Sequence, residues 1–458
     1  MVKLDESIEG MRDELVASVQ RLVRIKSVED IGGDGKPYGK GVADCLAEAL
    51  KMCEEMGFDT VNMDDQCGWC EYGEGDEMVA VLGHLDVVPE GEGWKFPPYE
   101  AVVSDGNIFG RGTIDDKGPV VASLIALKAI KEAGIPLKRR VRLLFGCNEE
   151  TGAVDMKYYR EHDGEIPVMG FTPDGEYPLI NGEKGIINET YEIALTGTDS
   201  GDEDYSIIEI KGGVAGNVTP GHAEALIKAP QDFKPEKLPD KVSASMKDGA
   251  WLISSEGAAV HAQHPEQGEN AIGRLFIYLN TLPFSGDTKK AIGFIAEKIG
   301  METHGESLGC DLYDDISGHT TFNMGVCVSD GKTMSVKLNY RYPVTHEYEE
   351  CQPLVERAFL DNGWRQAAHQ HKPKLYIPED DELVKSLLKV YREYTGDMTG
   401  PKSIGGGTYA KAIPNILAYG PLFPGDEVVE HMPNEYVSID RLMGNAKIIA
   451  AAITELAG

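Results

Sequence analysis

Cysteine is scarce in this chain, with 8 among 458 residues. So low a density excludes a disulfide-stapled scaffold. Cys45 and Cys53 lie on an apolar helical stripe, which predicts core positions for both. Cys67 and Cys70 in "CGWC" have a redox-like spacing, but no second pair accompanies them to form a zinc knuckle. Because the preceding acids would raise a thiol pKa rather than lower it, we expect an ordinary loop pair.

Long apolar runs are also missing, since none approaches the roughly 20 residues of a membrane-spanning helix. Residues 1–25 predict an acidic amphipathic helix without the apolar segment and cleavage site of a secretory signal. Its apolar side carries Ile8, Met11, Leu15, Val19 and Leu22. We therefore expect a cytoplasmic protein that does not bind membranes.

Basic residues are few relative to acidic ones, with 44 Lys and Arg against 76 Asp and Glu and a net charge of -32. This charge repels nucleic-acid phosphates and anionic lipid surfaces, so we expect no nucleic-acid partner. The length exceeds what one hydrophobic core supports and predicts two or three domains.

Strands and helices alternate between Met78 and Pro173. The apolar runs "MVAVLG", "RVRLLFG" and "PVMGFTPD" predict strands, and a helix is expected over 118–133 between the first two. This alternation predicts a mainly parallel sheet covered by helices, whose ligands gather at the carboxyl ends of the strands. The polar residues that follow each run are therefore candidates for function.

The pattern changes after "NGEKGI" to strand-like runs and acidic loops. In one clear strand, four apolar residues from Met334 to Tyr340 alternate with a polar set that includes Arg341, on the opposite face. The helical pattern returns at "DDELVKSLLKVYREYTG". We predict an α/β fold in which a discontinuous domain, residues 1–187 and 378–458, is interrupted by an inserted α+β domain at 188–377.

The ends of three predicted strands carry histidine or carboxylate side chains, which are suited to metal binding or acid–base catalysis. His84 and Asp86 form a His-x-Asp unit, in which the carboxylate can accept a hydrogen bond from the imidazole and select its tautomer. Glu149 and Glu150 follow the second strand, and Asp174 follows the third. Each residue also has an ordinary interpretation, as a structural histidine or a solvated acid.

Two further segments complete the set of candidates. "GRGTIDDKGP" places Asp115 and Asp116 before a helix, where paired acids could merely cap its N-terminus. His431 lies in "EHMPNEY" near the end of the chain. Two histidines and several carboxylates suit a pair of hard or borderline divalent cations, such as zinc or manganese.

These segments together resemble the metal-dependent aminoacylase and carboxypeptidase G-like peptidase family. Within it, the sequence is most similar to bacterial dipeptidases of the Xaa-His, carnosine-cleaving type. The matching segments occur in the family's order across nearly the whole chain: "GHLDVVPEGEGW", "GRGTIDDKGP", "GCNEETG", "FTPDGEYPLINGEKG", "HAQHPEQGENA", "LNYRYP", "GGGTYA" and "HMPNEY". The resemblance implies a catalytic domain, an inserted lid domain and a dipeptide substrate.

By this resemblance the site binds two divalent metal ions. Zinc is the expected metal, and manganese and cobalt are the alternatives. His84 and Asp174 would hold one ion, Glu150 and His431 would hold the other, and Asp115 would bridge both.

The resemblance assigns further roles in the reaction. Asp86 would orient His84, and the peptide bond between Asp115 and Asp116 would be cis. Glu149 would be the general base that activates a water between the two metals.

The resemblance also places substrate contacts in the lid domain and in the "GGGTYA" segment. His261 would donate a hydrogen bond to the tetrahedral oxyanion, and Arg341 would grip the terminal carboxylate of the peptide. The expected substrate-binding residues are Asn217, Arg341, Gly406, Gly407 and Thr408. Ordinary structural interpretations exist for these residues too, such as a loop histidine, a surface salt bridge or a tight glycine turn.

Two other functions remain open at this point. An N-acyl amino acid deacylase would use the same metal chemistry and the same motifs. A catalytically silent metal-binding or peptide-binding paralogue is disfavoured because all five expected ligands and Glu149 are present. The predicted lid is longer than the simple dimerising lid of many family members. In the dipeptidase branch that the sequence resembles, a doubled lid takes the place of a partner subunit, so the resemblance implies a monomer.

Overall fold

A computed structural model describes residues 2–30, 35–162, 164–195 and 205–458. In this part of the chain ten α-helices are found: α1 Val2–Glu9, α2 Arg12–Val23, α3 Lys40–Glu55, α4 Lys117–Glu132, α5 Val154–His162, α6 Ala271–Leu279, α7 Gly286–Lys298, α8 Tyr348–Asp361, α9 Glu382–Thr395 and α10 Ile439–Ala457.

The first strands of the described chain are β1 Asp59–Met63, β2 Cys67–Tyr72, β3 Met78–His84, β4 Val102–Ser104, β5 Asn107–Phe109, β6 Arg140–Gly146, β7 Met169–Thr172, β8 Gly175–Glu176, β9 Ile180–Glu183, β10 Gly185–Ala194, β11 Ser206–Gly212 and β12 His222–Lys228. The later strands are β13 Val242–Lys247, β14 Ala250–Glu256, β15 Tyr313–Asp314, β16 Gly318–His319, β17 Thr321–Ser329, β18 Thr333–Tyr342, β19 Arg365–Lys372, β20 Leu375–Tyr376, β21 Lys402–Ile404, β22 Ile416–Ala418, β23 Pro421–Leu422 and β24 Tyr436–Ser438.

The chain divides into two compact units. The first contains Met1–Asn181, Ile377–Lys402 and Gly407–Gly458, and the second contains Gly182–Tyr376 and Ser403–Gly406. Each unit has its own hydrophobic core of buried side chains. The expected α/β class, with a discontinuous domain, is confirmed.

Four parallel strands form the middle of the sheet in the first unit, in the order β6, β3, β7, β22. The hairpin of β1 and β2 extends it with antiparallel strands beside β6. β3 is buried along its whole length, as expected for a parallel strand covered on both faces. Because β3, β6 and β7 are parallel, their carboxyl ends meet at one edge, where the candidate residues follow.

The N-terminal amphipathic segment, predicted as one helix, is two helices in the structure. α1 ends before Gly10 and α2 starts after Met11. Glycine is a poor helix former, and here the amide of Gly10 closes the last turn on the carbonyl of Glu6 at 3.1 Å. Ile8, Met11 and Leu15 are nevertheless all buried, so the apolar side still faces the core.

The prediction that Cys67 and Cys70 form a loop pair is wrong. Both thiols are buried within β2, between β1 and β6. The segment also carries Trp69 and Tyr72, and aromatic residues favour a half-buried strand. Burial, with Cys53 nearby, raises the pKa of the Cys70 thiol well above its usual value.

An eight-stranded antiparallel sheet organises the second unit, in the order β13, β14, β12, β11, β17, β18, β10, β19. Helices α6, α7 and α8 contribute buried side chains to its core. The predicted alternation in β18 is confirmed, because Met334, Val336, Leu338 and Tyr340 all belong to that core. Among the helices of the described residues, none has the length and apolar character needed to span a bilayer.

Candidate metal centre

His84 is the last residue of β3 and is fully buried. Its Nδ1 lies 3.0 Å from the main-chain oxygen of Asp86 and 3.4 Å from a carboxylate oxygen of the same residue. The carboxylate contact expected from the sequence is thus the longer of the two. Both oxygens of Asp86 near Nδ1 are acceptors, which suits an Nδ1–H donor and would leave Nε2 available as a metal ligand.

The carboxylate of Asp86 has a second set of partners in the turn after β6. Its two oxygens accept the main-chain N–H groups of Glu149 and Glu150, both at 3.1 Å. β6 ends at Gly146, so both glutamates lie beyond the regular strand, where strict alternation of side chains no longer applies. One buried carboxylate links the end of β3 to the turn that follows its parallel neighbour.

Asp115 lies between the two histidines. One of its carboxylate oxygens is 3.0 Å from Nε2 of His84, and the other is 2.9 Å from Nε2 of His431. Its peptide bond to Asp116 is cis, as the family resemblance implied. Asp116 makes no side-chain cap to α4, and instead accepts the main-chain N–H of His84 at 3.1 Å. The side chain of Asp116 therefore does not cap α4, which was the alternative interpretation of the paired acids.

Two groups of potential ligand atoms result from this arrangement, and they share Asp115. The first group is His84, Asp115 and Asp174, and the second is Asp115, Glu150 and His431. Within each group the nitrogen and oxygen atoms lie within 4.8 Å of one another. Imidazole and carboxylate are suitable donors for zinc or manganese, so the side chains fit divalent cations.

The electrostatics of the two groups also fit positive ions. In the described chain, none of the carboxylates of Asp115, Glu150 and Asp174 pairs with a lysine or arginine. Burial, with the negative charge of Asp115, raises the pKa of Asp174 to about 7. Hydrogen bonds to Asp115 and Glu150 raise the pKa of His431 to about 11. Buried anions of this kind need a cation nearby to remain ionised.

Glu149 differs from its neighbour Glu150. The Glu150 carboxylate lies 3.1 Å from Nε2 of His431. The Glu149 side chain is in neither ligand group of the described residues. Burial and then the charge of Asp174 raise its pKa well above the usual value. A buried carboxylate with raised proton affinity is suited to acid–base chemistry.

The lid candidates Asn217 and His261 belong to the second unit. The main-chain oxygen of Asn217 accepts the N–H of Ala262 at 2.9 Å, and Val218 pairs with His261 in an isolated β-bridge. Asn217 and His261 therefore lie on neighbouring segments. Partial burial and the charge of Arg341 lower the pKa of His261, which favours its neutral form.

Arg341 is buried at the end of β18, with 3% of its surface exposed. Its Nη1 donates to the main-chain oxygen of Gly405 at 2.8 Å, and its Nε donates to Asn339 at 3.2 Å. The bond to Gly405 brings Arg341 next to the glycine segment that includes Gly406. Burial lowers the Arg341 pKa to about 10, so the group is still a cation at neutral pH.

Gly407 and Thr408 belong to the first unit. Thr408 precedes a short 3₁₀ turn at Tyr409–Ala412, and its hydroxyl accepts the N–H of Ala410 at 3.2 Å. The next side chain, Tyr409, is buried against His84 with ring centroids 6.0 Å apart.

Three supporting residues were not predicted from the sequence. Arg111 and Glu435 form a buried ion pair, and the carboxylate of Asp155 accepts main-chain N–H groups at the turn before Glu149. Arg111 and Glu435 lie inside the "GRGTIDDKGP" and "HMPNEY" segments, so their position in the motifs was the available signal. Asp155 lies outside the motifs and reads as an ordinary acid in the first turn of α5.

Comparison with known proteins assigns the chain to a family. The model of peptidase family M20/M25/M40 matches residues 80–455. A Bacillus subtilis (strain 168) protein named "Putative dipeptidase YtjP" is 36% identical, over 97% of this chain and 98% of that protein. A Staphylococcus aureus (strain MRSA252) protein named in the same way is 32% identical, over 98% of both chains. The chain belongs to peptidase family M20/M25/M40.

Solved structures share the fold at low sequence identity. Human carnosine dipeptidase 1 superposes with a TM-score of 0.58 at 16% identity, covering 99% of this chain and 98% of that chain. Aminoacylhistidine dipeptidase from Vibrio alginolyticus gives a TM-score of 0.59 at 12% identity, covering 96% and 97%. Membership of peptidase family M20/M25/M40, rather than the shared fold, makes the protein a hydrolase of the metallopeptidase class.

Proposed function

We propose that this protein is a dipeptidase with a two-metal centre, which hydrolyses dipeptides that have a free amino terminus. The observation that carries the proposal is the pair of ligand groups sharing Asp115, with the unligated Glu149 next to Glu150. The names of the related dipeptidases support the substrate class.

In the proposed centre, His84 and Asp174 would hold one cation, Glu150 and His431 would hold the other, and Asp115 would supply a carboxylate oxygen to each group. Divalent cations supply Lewis acidity, which polarises a peptide carbonyl and lowers the pKa of water. We propose zinc as the metal, with manganese or cobalt as alternatives, because the donor set is imidazole and carboxylate.

Glu149 is the proposed general base. Its carboxylate takes a proton from the attacking water and then passes that proton to the nitrogen of the leaving amine. The raised pKa of Glu149 supports this role, because a carboxylate that must return a proton to the leaving amine needs a higher proton affinity than an ordinary glutamate. Asp86 holds the main chain of Glu149 and limits the directions its side chain can take.

Arg341 is the proposed site for the terminal carboxylate of the dipeptide. The support is its burial without a carboxylate partner among the described residues, since a buried guanidinium favours an anionic ligand. We assign Asn217, Gly406, Gly407 and Thr408 to further substrate contacts. His261 is the proposed hydrogen-bond donor to the oxyanion that forms on the scissile carbonyl.

We propose residues 188–377 as the lid domain, and a monomer in solution. Static light scattering tests the oligomeric state, and a dimer would contradict the proposal. We also propose a cytoplasmic location, supported by the low cysteine content of 8 among 458 residues, which is too sparse for a disulfide scaffold.

Hydrolysis of a substrate panel tests the function directly. Protein reconstituted with Zn²⁺ or Mn²⁺ is assayed with free dipeptides, including Xaa-His, and with N-acyl amino acids of matched side chains. We expect higher kcat/KM values for the dipeptides. Cleavage of acyl-amino acids alone would replace the proposal with a deacylase, and cleavage of neither class would support a silent paralogue.

A further inference from the structure

Two buried carboxylates hold the turn that presents Glu149 and Glu150. Asp155 accepts the main-chain N–H groups of Cys147 and Asn148 at 2.6 and 3.1 Å, both on Oδ2. Asp86 accepts the next two N–H groups along the chain, each at 3.1 Å. Four consecutive amides therefore donate to two side chains, and no strand partner is needed to orient this part of the main chain.

Asp155 lies in the first turn of α5 and is fully buried. Its other oxygen, Oδ1, accepts the N–H of Met156 at 2.7 Å. Oδ2 also accepts a hydrogen bond from the hydroxyl of Tyr409. Among the described residues, the hydrogen-bond partners of this carboxylate given above are all donors. An amide side chain would put an NH₂ group against an N–H or O–H donor in either orientation.

Tyr409 connects this carboxylate to the "GGGTYA" segment. The ring has 1% of its surface exposed and packs edge-on against His84. It fits closely over the end of β6, because a Cβ atom on Gly146 would lie 1.7 Å from the Tyr409 hydroxyl oxygen. One hydroxyl thus contacts the residue before the turn and the carboxylate that holds the turn.

A helix cap is the simpler role for an acid at this place in a helix. The contact to Met156 fits that role, because it is local to α5. The three contacts of Oδ2 do not, since Cys147 and Asn148 precede the helix by several residues and Tyr409 comes from a distant part of the sequence. A helix-capping role alone therefore does not explain the three contacts of Oδ2.

We propose that Asp155 and Tyr409 together are positioning residues for Glu149 and Glu150. The inference rests on the two-metal centre proposed above. The pair sets the direction in which the turn leaves β6, and with it the placement of the base and the neighbouring metal ligand. Displacement of a catalytic group by about 1 Å can lower a rate by about 10²-fold, so loss of one bond in this set is expected to change turnover.

Tyr409→Phe is the test variant, because it removes one hydroxyl and keeps the ring. Tyr391→Phe is the matched control, since its partly buried hydroxyl also donates to an aspartate of the first unit, Asp397, at 2.9 Å. We expect Tyr409→Phe to lower kcat by about 10-fold or more with KM changed by less than about twofold. The control is expected to keep wild-type kcat at a comparable loss of Tm.

A second measurement does not depend on the substrate. Wild-type protein and both variants are loaded with Co²⁺, and the visible absorption bands, which report ligand geometry, are compared. We expect the bands to shift in Tyr409→Phe and to stay unchanged in Tyr391→Phe. Asp155→Asn is expected to show a larger shift and weaker Co²⁺ binding, because its amide meets donors in both orientations.

The outcomes separate this inference from the proposed function. A Tyr409→Phe protein with the kcat and the Co²⁺ spectrum of the control would overturn the positioning role. A shifted spectrum in a protein that cleaves no dipeptide would support the positioning role and refute the dipeptidase proposal.

Discussion

Arg111 and Glu435 form a buried ion pair, with 2.6 Å between Nη1 and Oε2. The other oxygen of Glu435 accepts the main-chain N–H groups of Ile114 and Asp115, at 3.1 and 3.4 Å. Glu435 also lies four residues after His431. The pair thus joins the loop of the shared carboxylate to the loop of the second histidine.

Glu435→Gln is expected to destabilise the protein by about 3 kcal/mol, because it leaves a buried guanidinium without its counter-charge. Urea unfolding measures this change in the free energy of unfolding. Glu455→Gln is the control, since its pair with Lys389 at 2.8 Å is partly exposed and should contribute at most about 1 kcal/mol. Equal losses in the two variants would show that the buried pair has no special role.

Glu149→Gln and Glu150→Gln are expected to separate catalysis from metal binding. Glu149→Gln should keep the full metal content and lose turnover by about 10²- to 10⁴-fold, because the amide cannot accept a proton. Glu150→Gln should weaken one of the two metal sites. Metal content after dialysis and steady-state kinetics check both expectations. Equal metal loss in the two variants would refute the assignment of roles.

Chelation is expected to abolish hydrolysis, and added Zn²⁺, Mn²⁺ or Co²⁺ to restore it. The metal-loaded protein should also have a higher Tm, because a ligand that binds only the folded state stabilises it. Activity and calorimetry on the same samples test both points. Full activity in protein shown to be metal-free would contradict the two-metal proposal.

Gly146→Ala is expected to destabilise the protein by about 1 to 3 kcal/mol, because the added Cβ overlaps the buried hydroxyl of Tyr409. Gly444→Ala is the matched control within α10, where the nearest atom to the added Cβ is a ring carbon of Phe423 at 3.8 Å. It should stabilise the helix by about 0.5 to 1 kcal/mol. Thermal unfolding of both variants gives the comparison, and a tolerated Gly146→Ala would contradict the close fit at Tyr409.

Arg341→Met is expected to lower kcat/KM for free dipeptides by about 10- to 100-fold, the loss of one charge-assisted hydrogen-bonded contact. Dipeptides with an amidated C-terminus should be affected much less, because they lack the carboxylate. Arg365→Met is the control, since Arg365 is an exposed residue of the same unit paired with Glu192. A similar loss for amidated and free substrates would refute the carboxylate contact.

The strand ends of the first unit could be predicted from local pattern. β3 is apolar from Met78 to Leu82 and buried throughout, so His84 stands out as the polar group where the strand stops. The same holds for β6 and the turn at Glu149. A strand buried on both faces needs a continuous apolar run, and that requirement is visible in a single sequence.

Predictions from local sequence pattern were wrong at two places, where one local preference competes with another or with pairing to a neighbouring strand. The N-terminal stripe predicted one helix, but the chain breaks at Gly10 while keeping the same side buried. The "CGWC" segment read as a loop because of its acidic neighbours, yet pairing with β1 and β6 makes it a buried strand. The partner strand, which is distant in sequence in the case of β6, decided the outcome.

The sequence alone specified the α/β class, the family and the side chains that reach the strand ends, because these depend on apolar runs and on motifs read along the chain. Only the tertiary structure gave the contacts of Asp115 with both histidines, and only it showed that Asp86 and Asp155 hold the amides of one turn. Those relationships join segments far apart in sequence, and a hydrogen bond about 3 Å long depends on how the segments pack.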